Sequence, residues 1–260
     1  HMNIALLLSG GTGSRIGSGI PKQYIRAGEK MLITYALGTL LMSRWIDKVE
    51  IVADPGWQEA ILEDAAQAGL DMGKIAGFAL PGMTRQASIK SGLEDIVHWR
   101  KAREKTKEDG CFSGEGLDGD MVLIHDAARP FLKEELILRC FQEVSDHDGV
   151  MPVLPMKDTV YYSESGIRAD GLLERSRIYA GQAPELFLLK KYYLANQALS
   201  PERLMGISGS AEPAVLAGMD IAMIPGDEGN YKVTTEEDLR RFREQVERGE
   251  QDFCVEENRN

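Results

Sequence analysis

The 260-residue chain is 43% apolar and 27% charged, close to the average of globular domains, which excludes disorder and fibre. Thirty Lys and Arg against 41 Asp and Glu give a net charge of −11. That balance argues against a duplex-binding face but leaves room for a small anionic substrate at a local basic cluster.

Ile4 to Leu8 is a short apolar run stopped by Ser9-Gly10-Gly11-Thr12-Gly13, which predicts a buried parallel strand. Helical spacing follows from Met31 to Met42, a strand from Lys48 to Ala53 and a helix from Gln58 to Ala68. Phe78 to Leu80 reads as a short strand before Pro81-Gly82, Ala87 to Val97 as a helix, and Met121 to Ile124 as a strand. Trp99 to Asp120, charged and then rich in glycine, reads as a solvated helix end and a surface loop. Asp158 to Ile178 departs from the pattern: Thr159 to Tyr162 is strand-like and Ser163 to Gly166 a turn, as in a hairpin arm. Thr235 with Asp238 imitates a capping box for a last amphipathic helix.

This alternation is the mark of an α/β fold with a doubly wound, mostly parallel sheet. One domain is expected over residues 3–245, with 158–178 as an arm and 246–260 as a polar tail. No run reaches the roughly 18 apolar residues of a membrane span. Cys111, Cys140 and Cys254 lack the spacing of a zinc site or a disulfide framework. His1 before Met2 reads as an expression scar. A cytoplasmic protein without nucleic-acid or membrane partners is expected.

The glycine loop after the first strand can offer bare backbone N–H groups to an anion. It is neither a Walker A loop, lacking GK[ST], nor a dinucleotide fingerprint, since Ile16 stands where GxGxxG needs glycine. Arg15 and Lys22 follow closely, the lysine held by Pro21, and two cations beside such a loop suit a polyphosphate. Gly82 to Ser88 lies between a strand and a helix. His125-Asp126-Ala-Ala-Arg129-Pro130 lies at a strand's carboxyl end, where ligands of open α/β sheets bind. Asp126 there either holds Mg²⁺ or caps a helix; His125, with no second ligand nearby, reads as structural. Lys157-Asp158-Thr159, Arg175 and Asn230-Tyr-Lys232-Val-Thr234 are unremarkable taken singly.

Together these segments resemble the methylerythritol-phosphate cytidylyltransferase family over roughly residues 3–245. They are Ser9 to Arg15, Pro21 to Tyr24, Gly82-x-x-Arg85-x-x-Ser88, His125 to Pro130, Asp158-Thr159 and Asn230 to Thr234. Ribitol-phosphate cytidylyltransferases share the framework; Tyr179 to Gln182 is similar to that branch, Asp126 to Ala128 to the methylerythritol branch. The resemblance implies a Rossmann-like nucleotidyltransferase fold and transfer of CMP from CTP to a polyol phosphate in isoprenoid biosynthesis. It further implies a divalent cation, Mg²⁺, on Asp126, and a homodimer.

By the same resemblance, Ser9, Gly10, Gly11, Thr12 and Gly13 with Arg15 wrap the triphosphate, and Lys22 and Lys232 serve the phosphates catalytically. Gly82 and Ser88 fix the cytosine, and Asp126 with Ala127 borders the nucleotide. Thr159, Arg175 and Thr234 reach the acceptor, Arg175 across the dimer from an exchanged arm. Two segments depart from the pattern. Ala183-Pro184-Glu185 replaces Thr-Pro-Gln, and Ser208-Gly209-Ser-Ala-Glu212 lacks an expected aspartate; both lie at the acceptor end. An NAD(P) oxidoreductase shares the opening but lacks its fingerprint. The third reading is a nucleotide-binding homologue without turnover.

Overall fold

The computed structural model describes residues 1–11, 19–105 and 117–250. The first strand, β1 (Asn3–Leu8), is buried on both faces: Ala5 and Leu7 join one core, Ile4, Leu6 and Leu8 the other. That is why it reads as a continuous apolar run rather than an alternation. A small ribbon, β2 (Arg26–Ala27) and β3 (Lys30–Met31), leads to α1 (Leu32–Met42), then β4 (Lys48–Val52) and α2 (Pro55–Gln67). Asp54 caps α2 by accepting from the Gly56 N–H, with Pro55 at the first helical position. β5 (Ile75–Ala79) precedes the long α3 (Arg85–Lys105), whose Ile89, Leu93, Ile96 and Val97 are buried along one face.

β6 (Met121–Asp126), α4 (Glu134–Glu143) and β7 (Gly149–Pro155) follow, then a hairpin of β8 (Val160–Tyr162) and β9 (Gly171–Leu173). β10 (Tyr179–Gly181) and β11 (Glu185–Leu188) return the chain to the sheet. The last elements are α5 (Leu189–Gln197), α6 (Pro201–Gly206), α7 (Glu212–Leu216), β12 (Ile221–Pro225) and α8 (Glu236–Glu247). The central sheet has the order β10-β7-β11-β6-β1-β4-β5, with β12 parallel to β7. β6, β1, β4 and β5 are mutually parallel, whereas β11 runs antiparallel to β6 and β7. A smaller core lies under α8, where Phe242 meets Tyr35 and Phe131 edge to face.

The mostly parallel α/β expectation holds. The helix expected from Ala87 starts two residues earlier and extends to Lys105, into the segment read as a solvated end; residues 106–116 lie outside the described ones. β7, β11 and β12 have no counterpart in the sequence reading. α8 continues to Glu247, so the expected tail begins inside a helix. The capping box of Thr235 and Asp238 is present in full. The arm is a real antiparallel hairpin, with Tyr161, Tyr162, Ile167 and Leu172 exposed on it. Cys140 is buried and burial pushes its thiol up to about 12, an inert group; Cys111 and Cys254 lie outside the described residues. Among the described residues no helix is long and apolar enough to cross a membrane.

Candidate active site

β1 and β6 are parallel neighbours in a register that sets Leu8 beside Asp126, so both strands deliver their ends to one edge of the sheet. Beyond Leu8 the chain stays pinned: Ser9 N–H donates to the Val52 carbonyl and Ala127 N–H to the Leu8 carbonyl. Gln23 Nε2 donates to the carbonyls of Ser9 and Gly11, each at 2.7 Å. The Tyr24 hydroxyl donates to the Ser9 carbonyl, and its ring stacks on Trp57 at 4.3 Å. The turn Lys22–Tyr24 is thereby fastened to the start of the glycine loop, with Pro21 at its N-cap.

The second wall is Pro81 to Ser88. A Cβ on Gly10 would meet Pro81 Cβ at 2.4 Å, and one on Gly82 would meet Ala87 Cβ at 2.5 Å. Only glycine permits these approaches. Gly82 N–H donates to Ser88 Oγ at 3.0 Å, closing the turn into α3. Between the walls opens a cleft of about 650 Å³ whose lining includes Ser9, Gly11, Lys22, Arg85, Asp126 and Lys232, a size that suits a small-molecule ligand.

Asp126 is its electrostatic centre. Arg85 donates from Nε and Nη2 to Oδ1, both at 2.9 Å; Lys232 Nζ lies 3.1 Å from Oδ2, and Arg129 Nε 3.7 Å from the same atom. Burial alone would raise the Asp126 pKa, but Arg85, Lys232 and Arg129 together hold it well below the usual carboxylate range. The helix-cap alternative is excluded: α4 starts eight residues later with Lys133 at its N-cap. His125 is fully buried, burial pulls it down to about 4, and its Nε2 meets the Arg129 carbonyl. It is structural.

Lys232 is placed by a backbone lattice. Arg129 Nη1 donates to the Asn230 carbonyl, Asn230 Nδ2 to the Ala183 carbonyl, and Val233 N–H to the Ala128 carbonyl. Downstream, Thr234 donates from N and Oγ1 to Asp238 Oδ2, tying the segment to the cap of α8.

Ser9, Gly10, Gly11, Lys22, Gly82, Ser88, Asp126, Lys232 and Thr234 thus share one cleft. Ala127 faces the core with its N–H spent, and Ala128 takes its place on the lining. Thr12, Gly13 and Arg15 lie outside the described residues. Thr159 and Arg175 are exposed on the arm, away from the cleft lining, and Arg175 Nη1 donates to the Lys157 carbonyl of its own chain. Arg85, Arg129, Gln23 and Glu185 have no role legible in the sequence: the motifs that contain them are the available signal, but a motif does not show which cation meets which carboxylate.

For a divalent ion the donor fits: Asp126 is an ionised, hard oxygen at the cleft. Among the described residues no group of three or more acidic, His or Cys side chains could cage a metal. Mg²⁺ characteristically binds through one or two carboxylates plus substrate phosphates and water, so Asp126 would be its protein ligand.

A family model described as 2-C-methyl-D-erythritol 4-phosphate cytidylyltransferase matches residues 3–247. A bifunctional enzyme IspD/IspF of Maricaulis maris is 32% identical over 93% of this chain, which spans 56% of that protein's length. The chain likewise spans about half the length of other bifunctional relatives it matches. The 2-C-methyl-D-erythritol 4-phosphate cytidylyltransferase of Thermotoga neapolitana is 30% identical over 92% of this chain and 94% of its own. The crystal structure of the Francisella tularensis enzyme of that name covers 94% of this chain and all of its own, with a TM-score of 0.72. At 20% identity that likeness concerns the fold. With the family model matched over nearly the whole chain and a relative 30% identical along almost its full length, the chain belongs to the 2-C-methyl-D-erythritol 4-phosphate cytidylyltransferase (IspD) family.

Proposed function

We propose that this chain transfers the cytidylyl group of CTP to 2-C-methyl-D-erythritol 4-phosphate, releasing pyrophosphate. The observation that carries the reading is the set of cations, Lys22, Arg85 and Lys232, lining one cleft with the bare backbone of Gly10 and Gly11. The acceptor's phosphate monoester is already an oxyanion, so no base is needed. Its oxygen forms a bond to the α-phosphorus while the bond to the bridging oxygen of the β-phosphate breaks, and the electron pair leaves with pyrophosphate. Such a reaction asks for in-line placement and neutralised phosphate charge.

The chain's residues meet both needs. The Ser9 to Gly11 backbone, fastened by Gln23, bounds the phosphate side with Lys22. Lys232 serves the α-phosphate, and Gly82 and Ser88 border the base. Thr12, Gly13 and Arg15, which follow Gly11 in the sequence motif, are assigned to the triphosphate. Bound at Asp126, Mg²⁺ would draw charge from the phosphate oxygens. Thr159, Arg175 and Thr234 are assigned to the acceptor; for the first two this requires the arm of a second subunit in a twofold homodimer.

Pyrophosphate release from CTP, with and without Mg²⁺, against a panel of polyol phosphates tests this reading. Turnover with methylerythritol 4-phosphate is expected. Turnover with ribitol 5-phosphate alone would move the chain to the other branch, and none with any acceptor would overturn the reading.

A further inference from the structure

Lys232 follows a turn, Asp227 to Asn230, and its reach into the cleft depends on where that turn sits. Local bonds give the turn its shape: Asp227 Oδ1 accepts from the Gly229 N–H at 2.8 Å, and the Asp227 carbonyl from the Asn230 N–H at 3.0 Å. They do not fix its place against the sheet. Two ion pairs, Lys133 with Asp227 and Lys157 with Glu228, run through exposed lysines, and surface pairs contribute little.

A single buried side chain makes the stronger attachment. β10 and β12 flank β7 with Gly181 and Pro225 both opposite Val153, and the residues that follow, Gln182 and Gly226, come together. Gln182 is 4% exposed. Its Oε1 accepts from the Asp227 N–H at 2.9 Å, while its Nε2 donates to the Asp227 carbonyl at 2.8 Å and to the Asn230 carbonyl at 3.3 Å. A primary amide offers an acceptor and two donors from one plane, and here all are spent on the two ends of one turn. The Asn230 carbonyl also accepts from Arg129 Nη1 at 2.8 Å, so the amide and the guanidinium converge on the residue two before Lys232. Gly226 permits the approach: a Cβ there would meet Gln182 Oε1 at 2.9 Å and the Val153 carbonyl at 3.1 Å.

We propose that Gln182 is a positioning residue for Lys232: it clamps both ends of the Asp227–Asn230 turn and so sets where the Lys232 ammonium group meets Asp126 and the α-phosphate. The proposal rests on the cytidylyl-transfer reading. Lys232 Nζ stands 3.1 Å from Asp126 Oδ2 at the end of a long, mobile stem. A misplacement of about 1 Å at a reacting centre can cost about a hundredfold in rate. The glycine loop is fastened separately, by Gln23 and Tyr24, so loss of the clamp should slow transfer more than it weakens CTP binding.

The test compares the full chain as wild type, Gln182→Met, Lys232→Ala and the double variant. It measures kcat and KM for CTP with Mg²⁺ and methylerythritol 4-phosphate, Kd for CTP by calorimetry, and Tm. Met keeps the reach of Gln and none of the three hydrogen bonds. Gln182→Met should lower kcat by about tenfold while KM and Kd for CTP change less than about threefold. In the Lys232→Ala background its cost should shrink by at least about threefold, because the group it positions is gone. A merely structural role would lower Tm and cost the same in both backgrounds. Wild-type kcat in Gln182→Met, a loss confined to KM and Kd, or coupling below that threshold would overturn the proposal. Should Gln182→Met not fold, Gly226→Ala replaces it in the same cycle with the same outcomes, since its Cβ displaces the amide but leaves Gln182 in the chain. If neither variant folds, Gln182 serves folding and the proposal fails. A wild-type chain that does not turn over CTP with methylerythritol 4-phosphate defeats the cytidylyl reading itself, a result distinct from any failure confined to the variants.

Discussion

Replacing Lys22 or Lys232 by Ala removes an ammonium group from the cleft that holds both. Each change should lower kcat/KM by about a hundredfold or more, the roughly 2.7–4 kcal/mol typical of a lost transition-state donor, with an unchanged circular-dichroism spectrum. Near-normal turnover in both variants would end the phosphate-clamp assignment. Asp126→Asn is a harsher change. It leaves Arg85 and Arg129, both half-buried, without their shared anion; breaking a fully buried pair costs about 3–5 kcal/mol, an upper bound here. Both activity and Tm should therefore fall, measured by pyrophosphate release and calorimetry. Asp126 and Lys232 were legible in the sequence because each stands in a recognisable run. The Arg85 fork on Asp126 was not, because the two residues sit 41 positions apart and meet only through the parallel sheet.

Two elements next to the site are held by carboxyl groups whose effects run in opposite directions. Glu50, central in β4 and fully buried, accepts from Trp99 Nε1 of α3 and has Asp95 of the same helix beside it. Burial, then Asp95, raises its pKa from 4.5 to about 8. The fold thus favours protonated Glu50. Its contribution is complete below the unfolded value and is lost as the pH rises through about 8. Urea melts should show stability declining across that window, by up to about 1.4 kcal/mol per pH unit for this group. Glu50→Gln should flatten the decline, leaving the share due to Glu185, whose carboxyl burial raises to about 7; an identical slope would show that Glu50 is charged in the fold. Asp238, by contrast, has a depressed pKa. Burial opposes the shift, but donors from Thr234 and Thr235 prevail, so its support of α8 is lost on acidification. The cap was readable as a local pattern. β7 and β12 were hidden by their prolines, and β11 by its brevity and its buried acid, features that tertiary context overrides.

At the scale of the whole molecule, Tyr161, Tyr162, Leu172 and Leu173 are exposed on the β8–β9 arm, the surface that the proposed homodimer would use. If Arg175 serves the neighbour's acceptor site, mixing inactive Arg175→Ala and Lys22→Ala chains should restore activity. In a heterodimer one composite site carries both lesions and the other neither. Subunit exchange is checked with tagged chains. Heterodimers without recovered activity would place Arg175 in its own chain's service.

The stack of Trp57 on Tyr24 also makes the site visible to light. The chain has three tryptophans: Trp45 against Phe141, Trp57 on the Lys22 turn, and Trp99 on the Glu50 carboxyl group. Keeping Trp57 alone gives a fluorophore one residue contact from the glycine-loop clamp, so nucleotide arrival becomes an emission change on the stopped-flow timescale. Keeping Trp99 alone gives an optical pH titration of β4 against α3. Two of the questions raised by this cleft can thus be followed in real time without any added dye.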